Sequence, residues 1–355
     1  MLPLSPARTI TAPAASSHGS LQMFAKPSLL FMGDVKGIPF AKTGYGLRDW
    51  APDAVVGQWR LPGCDVDLGL PELDAAGGVE HGARSLLIAA APIGGVIEPS
   101  WVPSLLSALE AGLDIVSGLH SRLRDVPELA EAADRLGRQL TDIRGHKAEY
   151  TVATGKRRTG KRLLTVGTDC ALGKKYAALA IARALREAGF DADFRATGQT
   201  GIMISGSGVA IDSVIADFIA GAAETLSPDA PADHWDVIEG QGALFHPAYA
   251  GVTLGLVHGS QPDAMVLCHD PLRTTINGFP DYLLPDLATA ITRYEDAAHV
   301  TNPDARVVAI SLNTSRLDDA AAAAVIGRIE ADHGLPCFDP LRTSLTPLVQ
   351  RLAAI

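Results

Sequence analysis

Aromatic side chains are scarce in this sequence, at 5 % of 355 residues. Stacking platforms for single-stranded nucleic acid are built from such rings, so that class of function is disfavoured. Basic residues are also in the minority. Thirty Lys and Arg against forty Asp and Glu give a net charge of −10, which opposes nonspecific binding of polyanions. The four cysteines (Cys64, Cys170, Cys268 and Cys337) form neither a CxxC pair nor a Cys/His cluster of zinc spacing. They read as reduced thiols of a cytoplasmic protein, with no metal expected. No apolar run approaches the length needed to cross a bilayer. The first twenty residues are rich in Ala, Ser and Pro and lack the apolar core of a secretion signal, so residues 1–24 are expected to form a disordered tail.

What is present is small and aliphatic. Hydrophobic residues make up 47 % of the chain, with Ala and Gly abundant, which suits helices packed tightly on sheets. A chain of this length exceeds what one core usually organises, so two domains are expected. In the first half, short apolar strands are predicted at Lys26 to Gly33, Ala54 to Trp59, Ser85 to Ala91 and Asp114 to Ser117. Helical periodicity covers Pro103 to Gly112 and Glu128 to Gly137. This alternation predicts a parallel sheet over residues 25–145, without the GxGxxG fingerprint of dinucleotide binding. Gly33-Asp34, Gly94-Gly95 and His120 stand at its predicted strand ends. Residues 146–161, polar, basic and punctuated by Gly, read as a linker. The second domain is expected over 162–355, with strands at Arg162 to Val166, Asp191 to Thr197, Asp236 to Ile238, Ala264 to Cys268 and Arg306 to Leu312.

Between the first of those strands and a helix predicted over Tyr176 to Ala188 lies a glycine-rich loop. It comprises Gly167, Thr168, Asp169, Cys170, Ala171, Leu172, Gly173, Lys174 and Lys175, and Tyr176 follows it. Strand, loop, Gly-Lys and helix together aim backbone N–H groups and a helix N-terminus at one anion. The loop departs from the strict phosphate-loop pattern twice: five residues separate Gly167 from Gly173, and Lys175 replaces the hydroxyl that ligates magnesium. A second cation without a metal ligand suits static binding of a diphosphate better than its cleavage. The longer loop resembles that of dethiobiotin synthetase. Val237 to Gly242 resembles that group's acidic second-strand motif, and Asn313 falls where such proteins recognise the base.

Longer segments are similar to the bacterial D-glutamate N-acetyltransferase family. They are AKTGYGLRDW (41–50), QWRLPGC (58–64), SGLH (117–120), GTDCALGK (167–174), DFRATGQTG (193–201), EGQGALFHP (239–247) and HGSQPD (258–263). The resemblance covers nearly the whole chain after about Phe24. It implies an α/β protein of two domains, Rossmann-like and then P-loop NTPase-like. It also implies transfer of an acetyl group from acetyl-CoA to the amine of a D-amino acid, D-glutamate in the first instance. The partners expected are small molecules, with no nucleic acid and no membrane, and the chain is expected to form a homo-oligomer. Two readings stand as alternatives: an ATP- and magnesium-dependent kinase or ligase of the dethiobiotin synthetase type, and a nucleotide-binding regulatory protein without turnover.

Acetyl transfer needs a deprotonated amine and a polarised thioester. Glu239, at a strand's C-terminal end, is a candidate general base, with His246 and His258 in loops downstream. Glu239 reads equally as the acid of a lost magnesium site, and each His alone as a structural residue. Arg195, Gln199, Thr200 and Asp263 are candidate substrate contacts. Arg195, in an apolar strand, is either paired structurally or offered to a carboxylate, and Gln199 to Gly201 otherwise form a tight turn. Arg273 is a second carboxylate grip or a plain surface arginine. Cys170, just before a helix, is a conceivable acetyl carrier. Cys268 and His269, as strand neighbours, point to opposite faces and make no dyad.

Overall fold

The computed structural model describes residues 23–92, 94–145 and 150–355. Residues 1–22 of the expected tail and 146–149 of the expected linker lie outside the described residues. The chain divides into two compact units, one ending at Asp142 and the other beginning at Ile143.

In the first unit the strands are Ser28–Gly33 (β1), Val55–Arg60 (β2), Ser85–Ile88 (β3), Asp114–Ser117 (β4) and Leu140–Asp142 (β5). They lie in the order β2-β1-β3-β4-β5, and every pair is parallel. Helices Lys42–Trp50 (α1), Ala75–Glu80 (α2), Val102–Glu110 (α3) and Pro127–Leu136 (α4) connect them. The sequence reading found neither β5, too short to show a period, nor α1, which contains the weak helix formers Gly44 and Gly46. The strand-end candidates here are occupied by packing. Trp101 is fully buried, and its indole Nε1 donates to Asp34 Oδ1 at 2.7 Å. His120 donates its backbone N–H to Gly95 O at 2.7 Å.

In the second unit the order of elements is Lys161–Gly167 (β6), Lys174–Glu187 (α5), Ala192–Arg195 (β7), Gln199–Ser205 (α6), Ile219–Leu226 (α7) and Trp235–Ile238 (β8). Then come Ala250–Ser260 (α8), Ala264–His269 (β9), the hairpin Thr275–Ile276 (β10) and Phe279–Leu283 (β11), and Leu287–His299 (α9). Arg306–Leu312 (β12), Asp319–His333 (α10), Cys337–Phe338 (β13) and Thr346–Leu352 (α11) complete the chain. The six-stranded sheet runs β13-β12-β9-β6-β8-β7, parallel throughout. The chain moves from β6 to one side of the sheet and later crosses to β9 on the other. The strand order therefore reverses at β6, the position at which open α/β sheets bind ligands beyond their C-terminal ends.

Both faces of this sheet are covered, so its strands are apolar on both sides. Leu163, Val237 and Val266 face a layer that includes Ile181 and Leu185 of α5 and Leu348 of α11. Their neighbours Leu164, Ile238 and Met265 face the opposite layer, with Leu256 of α8 and Tyr294 of α9. The one-residue alternation is the period-2 pattern of a strand buried between two helical layers.

Residues 150–160, expected to lie in a solvated linker, belong to the second unit. Arg158 is 8 % exposed and closes the C-terminal ends of two helices. Its Nη1 donates to Glu224 O at 2.9 Å and Ser227 O at 2.7 Å, behind α7; its Nη2 donates to Gly259 O at 2.6 Å and Ser260 O at 3.1 Å, in α8. A cation at two converging carbonyl ends meets two sets of unsatisfied acceptors and both negative dipole ends. Burial lowers the Arg158 pKa to about 10, which still leaves it charged at neutral pH. Replacing Arg158 by Ala strands those carbonyls, and the expected loss is at least about 3 kcal/mol of unfolding free energy. Urea denaturation checks this. Arg158→Lys should recover less than half the loss, because one ammonium cannot span both helix ends.

Candidate functional site

The phosphate loop leaves the C-terminal end of β6, and α5 begins at Lys174. Gly173 precedes it with φ +102°, and no side chain caps the helix N-terminus. The first-turn N–H groups of a 14-residue helix thus carry the positive end of its dipole toward the loop. Lys174 is buried, and its Nζ donates to Asp169 O at 2.8 Å. Burial lowers its pKa. Lys175, in the second helical position, holds its Nζ 4.6 Å from the centre of the Tyr176 ring. Ala171, at the exposed tip, takes φ +53°, a left-handed conformation costing a non-glycine residue roughly 1–2 kcal/mol. The loop is held by its surroundings rather than by local preference.

Hydrogen bonds and close packing do that holding. Asp169 is fully buried, and its carboxylate accepts from Arg273 Nη1 at 2.7 Å, Asn277 N at 2.8 Å and Cys170 N at 2.6 Å. Arg273 Nη1 also donates to Cys170 O at 2.7 Å. Tyr294 Oη donates to Gly167 O at 2.7 Å and accepts from Leu244 N at 3.1 Å. Beneath the loop, Gly240 packs so closely on β6 that a Cβ there would lie 1.6 Å from Thr165 O. Arg273 is therefore not a free surface arginine: its guanidinium is engaged by the loop. Its position just past the C-terminal end of β9 was the available sequence signal. Tyr294, deep in α9, offered none.

Glu239 follows β8 and is 4 % exposed. Its Oε2 accepts from Thr197 N at 3.0 Å and Gly198 N at 3.1 Å, which fixes the entry to α6. Burial raises its pKa, opposed by these N–H groups and by the charges of Lys175 and Lys174. Gln199, Thr200 and Gly201 form the first turn of α6, so the tight-turn alternative gives way to a helix start. Gly201 leaves room for the Glu239 carboxylate, since a Cβ there would push Oε2 out of place. Asn313 stands past the end of β12 on the same sheet edge, and its backbone N–H donates to His269 O at 2.8 Å.

His246 is brought to the loop. One ring nitrogen of His246, the Cys170 sulfur and an Asp169 carboxylate oxygen lie within 4.8 Å of one another, close enough to hold a metal ion. The buried cation of Lys174 and the Arg273 guanidinium on the same carboxylate oppose a further positive charge. Burial raises the Cys170 pKa, contrary to the thiolate that an acetyl carrier needs. Cys268 is buried and pushed up to about 12, while His269 Nδ1 lies 3.0 Å from Thr168 Oγ1, so no dyad forms between these neighbours.

The other candidates stand elsewhere. His258, near the end of α8, has Nε2 3.1 Å from Ala297 O. Asp263 precedes β9, where it accepts from Arg162 N at 2.8 Å and Asn302 Nδ2 at 3.2 Å. Both lie toward the N-terminal edge of the sheet, away from the loop. Arg195 pairs with Asp236 and with Asp193 at 3.4 Å, the structural alternative weighed for it. Among the described residues, no helix is long and apolar enough to cross a membrane.

Comparison with known proteins agrees with this architecture. The domain of unknown function DUF1611, P-loop domain, matches residues 151–349, and the Rossmann-like DUF1611 N-terminal domain matches 59–146. A protein of Tritonibacter scottomollicae named D-glutamate N-acetyltransferase is 48 % identical over 94 % of this chain and 100 % of its own. One of the same name from Pseudoalteromonas is 46 % identical over 92 % and 98 %. The crystal structure of a DUF1611 family protein from Anabaena variabilis is 32 % identical, covers 93 % of this chain and 100 % of its own, and superposes with a TM-score of 0.82.

The Arg195 network carries a pH signature. His234 lies between Asp236 Oδ1 at 3.2 Å and Asp191 Oδ2 at 2.8 Å. The bond to Asp236, followed by that to Asp191, raises the His234 pKa from 6.5 to about 9. A raised folded-state pKa stabilises fully below the unfolded value, and that contribution is lost as pH climbs through the folded one. Unfolding free energy should therefore fall between pH 6.5 and 9 in the native protein and stay flatter in His234→Gln, as chemical denaturation at stepped pH would show.

Proposed function

This chain belongs to the DUF1611 family, and from that premise we propose that it is an N-acetyltransferase carrying acetyl from acetyl-CoA to the amine of D-glutamate. One feature of the site carries this reading. Where a magnesium-dependent phosphate loop places a hydroxyl, this loop has Lys175, beside the buried Lys174 at the uncapped start of α5. Phosphoryl transfer depends on a loop-held metal that spans the phosphates. Two lysines and a helix dipole bind a diphosphate without one.

Acyl transfer asks nothing more of the loop than anchoring. The amine nitrogen attacks the thioester carbonyl, a C–N bond forms, the C–S bond breaks, and the amine's proton is passed on as the thiol of coenzyme A leaves. Holding both reactants supplies the entropic part of the acceleration. In this reading the first-turn N–H groups of α5, with Lys174 and Lys175, hold the diphosphate of the cofactor. Asn313, on the same sheet edge, contacts its adenine base.

Free thiol released from acetyl-CoA, measured without magnesium or ATP, tests the proposal. Release that requires D-glutamate is expected; magnesium-dependent ATP hydrolysis with no release under any amine would overturn it in favour of a kinase or ligase. Lys174→Ala should weaken acetyl-CoA binding by about 1.5–3 kcal/mol, the contribution of one charge-assisted contact. Unchanged affinity in that variant, read by calorimetry, would remove the loop from the cofactor site.

A further inference from the structure

His246 was a candidate general base, and its hydrogen bonding argues against that role. The ring is 2 % exposed, stacked on Tyr249 with centroids 4.5 Å apart and edge-on to Phe279 at 5.1 Å. Its Nδ1 accepts the backbone N–H of Ala248 at 3.2 Å. In a neutral imidazole one nitrogen accepts and the other carries the proton, so the proton is on Nε2. The lone pair that a base would use is already turned to Ala248. The same tautomer denies a metal ion the Nε2 lone pair. Among the described residues, no protein group takes a hydrogen bond from Nε2. The buried ring stands beside the loop, with one of its nitrogens within 4.8 Å of the Cys170 sulfur and of an Asp169 carboxylate oxygen. The same loop ends at the uncapped N-terminus of α5 and carries Lys174, whose Nζ rests on Asp169 O. The nearby Asp169 carboxylate does not repel an anion there, because Arg273, Asn277 N and Cys170 N already engage it.

We propose that His246 is a cofactor-binding residue whose Nε2–H donates to a diphosphate oxygen seated on the phosphate loop. The inference rests on the acetyl-CoA reading only for the source of that diphosphate. In acetyl-CoA the pantetheine arm separates diphosphate from thioester, so a residue on the loop meets phosphate oxygens and not the reacting carbonyl. His246 thus affects how tightly the cofactor is held, not the rate once it is bound.

Calorimetric titration of native protein, His246→Ala and His246→Gln with inorganic pyrophosphate, ADP and acetyl-CoA tests this. In His246→Ala all three affinities should fall about tenfold or more, the loss of one donor to a charged acceptor. Gln, which keeps a side-chain N–H donor but has no basic nitrogen, should restore most of the loss. The kcat of both variants at saturating acetyl-CoA should stay within about twofold of native, since uniform binding changes KM alone. Nitrogen-15 NMR of the native imidazole, which does not depend on how a variant folds, should show Nε2 protonated. Intact pyrophosphate affinity in folded His246→Ala, a kcat lost at saturation, or a proton on Nδ1 would each overturn the assignment. Pyrophosphate binding without thiol release would leave His246 in place and end the acetyltransferase reading. Thiol release with no pyrophosphate binding would do the reverse.

Discussion

A carboxylate buried inside a loop built to receive an anion is the constraint on which this site turns. Asp169 would repel any phosphate placed beside it unless its charge were consumed within the protein. Arg273 and two backbone N–H groups consume it, and in doing so they tie the loop to the segment between β9 and β11. The same guanidinium holds Cys170 O. These contacts hold the loop in its shape, including the left-handed Ala171. Lys174 is directed by the same geometry, since its ammonium rests on Asp169 O. Loss of the Asp169 clamp would release the cation along with the loop.

The two edges of the second sheet do different work. At the C-terminal edge the loop and the start of α5 present backbone N–H groups and cations, and polar groups such as the Tyr294 hydroxyl and the Glu239 carboxylate fix turns. At the N-terminal edge, arginines meet carbonyls. Arg158 closes α7 and α8, while Arg162 bonds Thr159 O, Arg158 O and Gln261 O and pairs with Asp263 at 3.5 Å. This edge locks residues 150–160 against the helices. A basic stretch that reads as a linker in sequence is here a structural clasp.

That division explains what could be read from the sequence. Strands β6, β8, β9 and β12, and helix α5, were legible within two residues at either end, because buried parallel strands and a long helix carry dense periodic signals. The phosphate loop was legible because backbone chemistry demands glycine there. Asp263 and His258 were drawn into the candidate site by their place in a recognisable segment; strand direction puts them on the other edge. Arg195 was ambiguous because a charge in a strand implies a partner without naming it, and Asp236 lies forty-one residues away in sequence. The hairpin of β10 and β11 escaped because its five-residue strand is largely exposed and has no apolar period. Its contribution, Phe279 against the His246 ring, depends on tertiary packing alone.

Rigidity of this kind fits one chemistry better than another. Loops that cleave phosphoanhydrides work with a metal that follows charge as it moves from one oxygen to the next. A site that only anchors gains most from donors that are already aimed, because fixed donors bind an anion without first paying to order themselves. Tyr294 on Gly167 O, Arg273 on Cys170 O and Ala248 N–H on His246 are all restraints with a backbone group at one end. Lys175 adds charge where a metal's hydroxyl ligand would otherwise stand. The loop is accordingly preorganised for holding a diphosphate still while the bond that changes lies at the far end of the molecule it belongs to.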